Sequence, residues 1–197
     1  FAKGLALALN KPLIGVHHMK AHILSHFITH EGMTAPSFPY LCLTVSGGHT
    51  QIVVVHDALN MEIIGKTIDD AAGEAFDKAA KMLGLPYPGG PLIDQYSQTG
   101  NPTAFSFSEP NIPELNFSFS GLKTSILYFL KKEVAKNSEF ITENLNDLCA
   151  SIQHSITDIL LKKLKKAQQQ TGIKCIAVSG GVSVNSELRA KLQALQV

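Results

Sequence analysis

What this 197-residue sequence has little of excludes much. It has 17 basic against 16 acidic residues, a net charge of +1, which excludes a histone-like, uniformly basic mode of nucleic-acid binding and leaves only local patches. Its three cysteines, Cys42, Cys149 and Cys175, are odd in number, far apart and set among apolar residues. That pattern provides no disulfide framework and no zinc framework, and it reads as buried free thiols in a reducing compartment. There is no Cys-x-x-Cys pair, no Ser-His-Asp order and no Walker lysine loop, so neither covalent catalysis nor a P-loop is supported. Residues Phe1 to Asn10 carry no charged leader and no small-residue cleavage site, and their apolar run is too short to span a bilayer. A cytoplasmic protein without a membrane segment is expected. Because the sequence starts at Phe1 and stops at Val197 inside a helical pattern, it is also expected to be a piece of something longer.

With 45% hydrophobic and 17% charged residues, the chain has the composition of a soluble globular protein and enough length to bury a core. Its central feature is Leu41 to Val55, in which two apolar runs flank Ser46-Gly47-Gly48. Such a turn makes an ordinary hairpin. Its glycines, lacking a Cβ, also let a phosphate or acyl group lie against main-chain N–H groups. The motif returns as Ser179-Gly180-Gly181 after the β-branched run Ile173 to Val178, and two copies suggest two walls of one cleft.

In chain order, Ala2 to Leu9 reads as the tail of a helix ended by Lys11-Pro12, and Leu13 to Val16 as a short buried strand. A helix then runs to about His30, with Ile23, Phe27 and Ile28 on its apolar side and His18, His22 and His26 on one face. The loop Glu31 to Pro39 reads as a domain boundary. Strands at Tyr40–Val45, Thr50–His56 and Met61–Lys66 form a meander. Asp69 or Asp70 is expected to cap a helix from Ala71 to Leu83 that Gly84 terminates. A rigid turn at Tyr87 to Pro91 precedes a short helix containing Asp94. Asn101 to Phe117 reads as a loop, followed by helices from Ser118 and around Leu145 to Leu164, the strand Ile173 to Val178, and a helix from about Val184. The lysines at 162, 163, 165 and 166 read as a solvated helix face or, alternatively, an RNA patch. Meander, helix, strand, helix is the order of a ribonuclease-H-like half of an actin-like fold.

Two imidazoles at i, i+4, His18 and His22, converge as metal ligands do; hydrogen-bonded surface histidines are the alternative. Zinc proteases place a glutamate directly after the first histidine, where this chain has Met19 followed by Lys20, so the general base is missing. Asp77 and Asp94 suit ribose hydroxyls or, alternatively, helix capping. Asn185 suits a base or a cap in the same way.

Taken together, His18-Met19-Lys20-Ala21-His22, Val45 to Thr50, Ile68 to Lys78, Tyr87-Pro88-Gly89-Gly90, Phe117 to Thr124 and Ser179 to Asn185 closely resemble the TsaD family, also called Gcp or YgjD. The resemblance implies an α/β, actin-like (ASKHA) fold, with residues 1–37 forming the end of lobe one and residues 38–197 most of lobe two. It implies transfer of the threonylcarbamoyl group of threonylcarbamoyl-AMP to the exocyclic amine of the adenosine beside the anticodon, in tRNAs reading codons that start with A. TsaB-like and TsaE-like proteins would be partners. His18 and His22 would bind iron or zinc, with the third ligand, an aspartate, beyond Val197. Thr44, Val45, Ser46, Gly47 and Gly48 would line the acyl-adenylate site, and Asp77, Gly90, Asp94 and Asn185 would hold the nucleoside. Lys66 departs from the family's usual glutamate. The competing readings are the older one of a metal-dependent glycoprotein endopeptidase and that of a non-catalytic scaffold of the same fold. Folded structure is expected from Tyr40 to Val197, disorder or rearrangement before Pro39, and no activity from these 197 residues alone.

Overall fold

The computed structural model describes residues 1–28 and 34–195. Three β-branched, apolar segments form β1 (Tyr40–Val45), β2 (Thr50–Val55) and β3 (Met61–Lys66), paired antiparallel as the alternation and turns predict. β4 (Ile176–Ser179) joins β1 in parallel, giving the order β3-β2-β1-β4. Every residue of β1 and β2 is buried, so both faces of the sheet are covered at its centre.

One face carries the main core. Leu41, Leu43, Val45, Ile52 and Val54 meet α3 (Ala72–Met82), α4 (Gly89–Ser97), α5 (Ser120–Val134), α6 (Phe140–Glu143), α7 (Leu145–Thr171) and α8 (Ser186–Gln193) through a single apolar cluster. α7 runs 27 residues and ends at Gly172, whose φ of +71° closes the helix in the left-handed conformation. The other face is smaller. There Tyr40, Cys42, Val53 and Val55 receive Ile23 of α2 (His18–Leu24), and Phe27 from the 3₁₀ turn Ser25–Phe27 packs beside them.

Several expectations need correction. After α1 (Ala2–Ala8), Leu13 to Val16 is not a strand: Leu13, Ile14 and Val16 are 53%, 82% and 71% exposed, with no neighbouring strand among the described residues to pair with. The helix expected to reach His30 ends as a 3₁₀ turn at Phe27, Ile28 is exposed rather than packed, and His30 lies outside the described residues, as does Glu31 to Met33 of the boundary loop. β4 begins at Ile176 rather than Ile173.

Neither Asp69 nor Asp70 caps α3. The hairpin does this instead, with Thr50 Oγ1 accepting from the Ala72 N–H (2.8 Å) and the Ser46 carbonyl from the Gly73 N–H (3.2 Å). Asp69 serves α5, accepting from the Ser118 hydroxyl and the Phe119 (2.8 Å) and Ser120 (3.4 Å) N–H groups. Asp70 bonds Lys78 (2.7 Å) and Lys123 (3.2 Å). Burial pushes its carboxyl up, but the bonds from the two ammonium groups outweigh this and hold it below the ordinary range.

Of the four lysines of α7, Lys162, Lys165 and Lys166 are exposed, as a solvated face requires, and three of the four also hold a loop. Lys162 pairs with Glu109, Lys163 donates to the carbonyls of Ile112 (2.6 Å) and Glu114 (2.9 Å), and Lys166 donates to Glu114 (3.3 Å), fastening the loop before β-bridge residue Phe117 onto the helix.

Burial pushes the Cys149 thiol up to about 12. The folded chain keeps this proton where the unfolded chain, with cysteine near 8.5, has released it. Its contribution to stability is therefore complete below that pH and is lost as pH rises toward 12. Urea midpoints measured at pH 8 and pH 10.5 should fall further for wild type than for Cys149→Ala. Equal falls would show that the thiol carries none of the alkaline sensitivity.

Candidate active-site cleft

The parallel pairing of β1 with β4 brings the two Ser-Gly-Gly turns to the same end of the sheet, with Thr44 opposite Ser179. In the first turn the Ser46 N–H donates to the His49 carbonyl (2.8 Å) and the His49 N–H to Ser46 Oγ (3.1 Å). Gly47 and Gly48 remain exposed, and a Cβ on either would meet nothing. Gly73 is packed so closely beneath that its own Cβ would come within 2.8 Å of Gly47 Cα. The second turn is tighter. Gly180 has φ +95° and ψ 168°, a region open essentially to glycine alone, and a Cβ there would lie 2.2 Å from the Val45 carbonyl oxygen.

Between the turns lies a cleft of about 270 Å³, lined by Gly47, Gly73, Phe76, Asp77, Pro88, Gly90, Pro91, Asp94, Gly181, Val182, Val184 and Asn185. The walls are mostly apolar, with carboxylates from α3 and α4 and main-chain turns at the ends. Asp77 Oδ1 accepts from the Gly89 N–H (2.8 Å) and the Gly90 N–H (3.3 Å), capping α4, and its Oδ2 has no partner among the described residues. Asp94 holds the first turn of α8 through the Ser186 N–H (3.2 Å to each oxygen) and hydroxyl. Asn185 caps α8 by accepting from the Leu188 N–H (3.0 Å), and its Nδ2 donates to Gln153 Oε1 (2.7 Å). The capping alternatives weighed for these three residues are thus all realised. A free carboxylate oxygen on Asp77 and the second amide hydrogen of Asn185 are left for a ligand.

Of the residues expected to form the site, the structure brings together Gly47, Asp77, Gly90, Asp94 and Asn185. Ser46 and Gly48 shape the first turn without lining the cleft. Thr44 and Val45 are fully buried: Thr44 Oγ1 accepts from Ser179 Oγ (3.3 Å) and Val45 sits in the core, so both support the turn from below. Sequence reasoning missed Gln153, a buried polar residue in the apolar stripe of α7 that joins Ser97 of α4 (2.7 Å) to Asn185. A glutamine in such a stripe was the available signal.

His18 and His22 lie apart from this cleft's lining, on the helix packed against the smaller sheet face. Their rings are 4.6 Å apart at 47°, and neither ring makes a hydrogen bond among the described residues. Met19 and Ile23 are buried beneath them. His26, expected on the same face, is withdrawn: both of its nitrogens are engaged by main-chain carbonyls. Among the described residues no third His, Cys, Asp or Glu joins the pair.

A family model described as TsaD, tRNA N6-adenosine threonylcarbamoyltransferase, matches residues 1–197. The chain belongs to the TsaD family. It is 58% identical over 193 residues to the tRNA N6-adenosine threonylcarbamoyltransferase of Christiangramia forsetii, covering 98% of this chain and 57% of that protein. The same figures hold for the protein of that name from Riemerella anatipestifer. With that of Fervidobacterium nodosum, identity is 47% over 99% of this chain and 58% of that protein. The chain thus spans less than two thirds of the length of these relatives. A solved structure, the activator of the 2-hydroxyisocaproyl-CoA dehydratase from Clostridium difficile with bound ADPNP, is similar at a TM-score of 0.47 and 16% identity, over 90% of this chain and 55% of that one. The mixed α/β sheet with its helices agrees with the actin-like architecture expected of a TsaD lobe.

Proposed function

We propose that the full-length protein containing this chain transfers the threonylcarbamoyl group from threonylcarbamoyl-AMP to the exocyclic amine of the adenosine adjacent to the anticodon, in tRNAs that read codons starting with A. The observation that carries this reading is the convergence of Gly47, Asp77, Gly90, Asp94, Gly181 and Asn185 on one cleft in a chain of this family. Exposed main-chain N–H groups at Gly47 and Gly48 suit the phosphate, and the apolar walls suit the base. Asp77 Oδ2 is available to a ribose hydroxyl. In the reaction the amine lone pair attacks the carbamoyl carbon, the carbon–oxygen bond to phosphate breaks, AMP leaves with that electron pair, and the amine gives up a proton.

The pair His18 and His22 fits a divalent metal, iron or zinc, because it offers two adjacent imidazoles whose nitrogens no other described residue engages. Bound there, the metal would supply positive charge for substrate oxygens. The remaining protein ligand, an aspartate, lies outside this chain on this reading. The peptidase alternative fails at Met19, which is buried where a general base would need to reach water. The reading assigns residues 1–37 to the end of one lobe and 38–197 to the other, and takes TsaB-like and TsaE-like proteins as partners in the cytoplasm. No helix among the described residues is long and apolar enough to cross a membrane.

Full-length protein supplied with threonylcarbamoyl-AMP, unmodified tRNA and the partner proteins should form threonylcarbamoyladenosine, and the 197-residue chain under the same conditions should form none. Equal yields would show that the site does not need the segments outside this chain. No product from the full-length protein would sink the reading itself.

A further inference from the structure

One side chain ties the helix of His18 and His22 to the strand that ends in the second Ser-Gly-Gly turn. His26 Nδ1 lies 2.9 Å from the Ile23 carbonyl oxygen, and its Nε2 lies 3.1 Å from the Val178 carbonyl oxygen, 152 residues along the chain. Both partners can only accept, so a neutral ring satisfies one of them and a protonated ring both. The Leu41 N–H donates to the Cys175 carbonyl (2.9 Å), which turns the odd-numbered carbonyls of this strand toward β1 and the Val178 carbonyl away from it. Among the described residues β4 is paired on one side only, and the Val178 carbonyl there meets no donor from a strand. His26 supplies one. The residue after Val178 opens the turn, and Gly180 is wedged against β1.

The apolar contact alone does not fix this arrangement. Ile23 is buried against Tyr40, Cys42, Val53 and Val55, and the Tyr40 hydroxyl reaches the Ile23 carbonyl at 3.4 Å. Hydrophobic burial is non-directional and holds the helix onto the sheet without setting where it lies along the strands. Two directional bonds set it: the long one from Tyr40 of β1 to the Ile23 carbonyl, and the shorter one from His26, which alone of the two reaches β4.

We propose that His26 is a positioning residue: by donating from Nε2 to the Val178 carbonyl it fixes the two-histidine helix relative to the second Ser-Gly-Gly turn. The metal pair and the cleft then keep one spacing. This rests on the function proposed above. His26 itself touches no substrate.

The test uses His26→Gln and His26→Asn in the full-length protein. A glutamine amide nitrogen stands near the place of Nε2 and keeps the bond to Val178, whereas asparagine stands near Nδ1 and keeps only the local bond to Ile23. Small displacements of reacting groups are costly, so His26→Asn should lower kcat about tenfold or more. KM for threonylcarbamoyl-AMP should stay within about twofold, and His26→Gln within about threefold of wild-type kcat. Asparagine as active as glutamine would overturn the proposal. Amide hydrogen exchange, which needs no turnover, reads the tether separately: exchange in α2 and β4 should rise about tenfold in His26→Asn and not in His26→Gln. Unchanged exchange in His26→Asn also overturns it. A wild-type protein that shows no transfer yet has a tether sensitive to asparagine would instead refute the proposed function and leave the tether standing.

Discussion

Gly180→Ala is expected to destabilise the fold by about 3 kcal/mol, the largest stability effect of any single glycine substitution in either turn. Two costs add. The backbone at φ +95° and ψ 168° is one that an L side chain rarely adopts, and the new Cβ would be driven to 2.2 Å from the Val45 carbonyl oxygen, which is main chain in a fully buried strand and has nowhere to move. Gly47→Ala is the matched control: its Cβ meets nothing, so stability should change by no more than about 0.5 kcal/mol. Urea denaturation of the two variants measures the difference directly. Equal midpoints would mean that the close approach of the second turn to β1 is not a constraint on the fold.

The largest functional effect is expected from His18→Ala combined with His22→Ala. His18 is exposed and His22 half-buried, while the residues that seat the helix, Met19 and Ile23, are untouched, so the variant should fold as wild type does. The paired imidazoles are the two histidines within α2, and His26 in the turn that follows is committed to carbonyls. Metal analysis of the full-length double variant should show a loss of at least about tenfold in affinity, with transfer abolished. Unchanged metal content would remove these histidines from the proposed metal site.

The parts of this architecture legible in the sequence are those that local pattern determines. The meander was readable because Tyr40 to Val45, Thr50 to Val55 and Met61 to Lys66 alternate or run apolar between turn residues, and the end of α3 because Gly84 stands where a left-handed residue is needed. Gly47 and Gly181 were recognisable as a pair because the motif repeats. What stayed hidden depends on contacts between distant residues. Asp69 stands immediately before a helix and looks like its cap, yet it turns to α5, 50 residues away, because the hairpin already satisfies the α3 amides through Thr50 and Ser46. Leu13 to Val16 has strand composition but no partner strand among the described residues, and composition does not make a strand without one. His26 shares the spacing of His18 and His22, and only the position of β4 shows that it serves the main chain instead of a metal.

If the cleft between the two turns holds the adenylate, as proposed, Gly47 is the wall nearest its phosphate. The most direct measurement is a calorimetric titration of a non-hydrolysable threonylcarbamoyl-adenylate analogue into full-length wild-type protein and Gly47→Val, with circular dichroism confirming that both are folded. A valine there would project into the open cleft rather than into the core, so affinity should fall by about a hundredfold or more while the fold is unchanged. A folded Gly47→Val protein that bound the analogue as tightly as wild type would show that the phosphate does not lie against this turn.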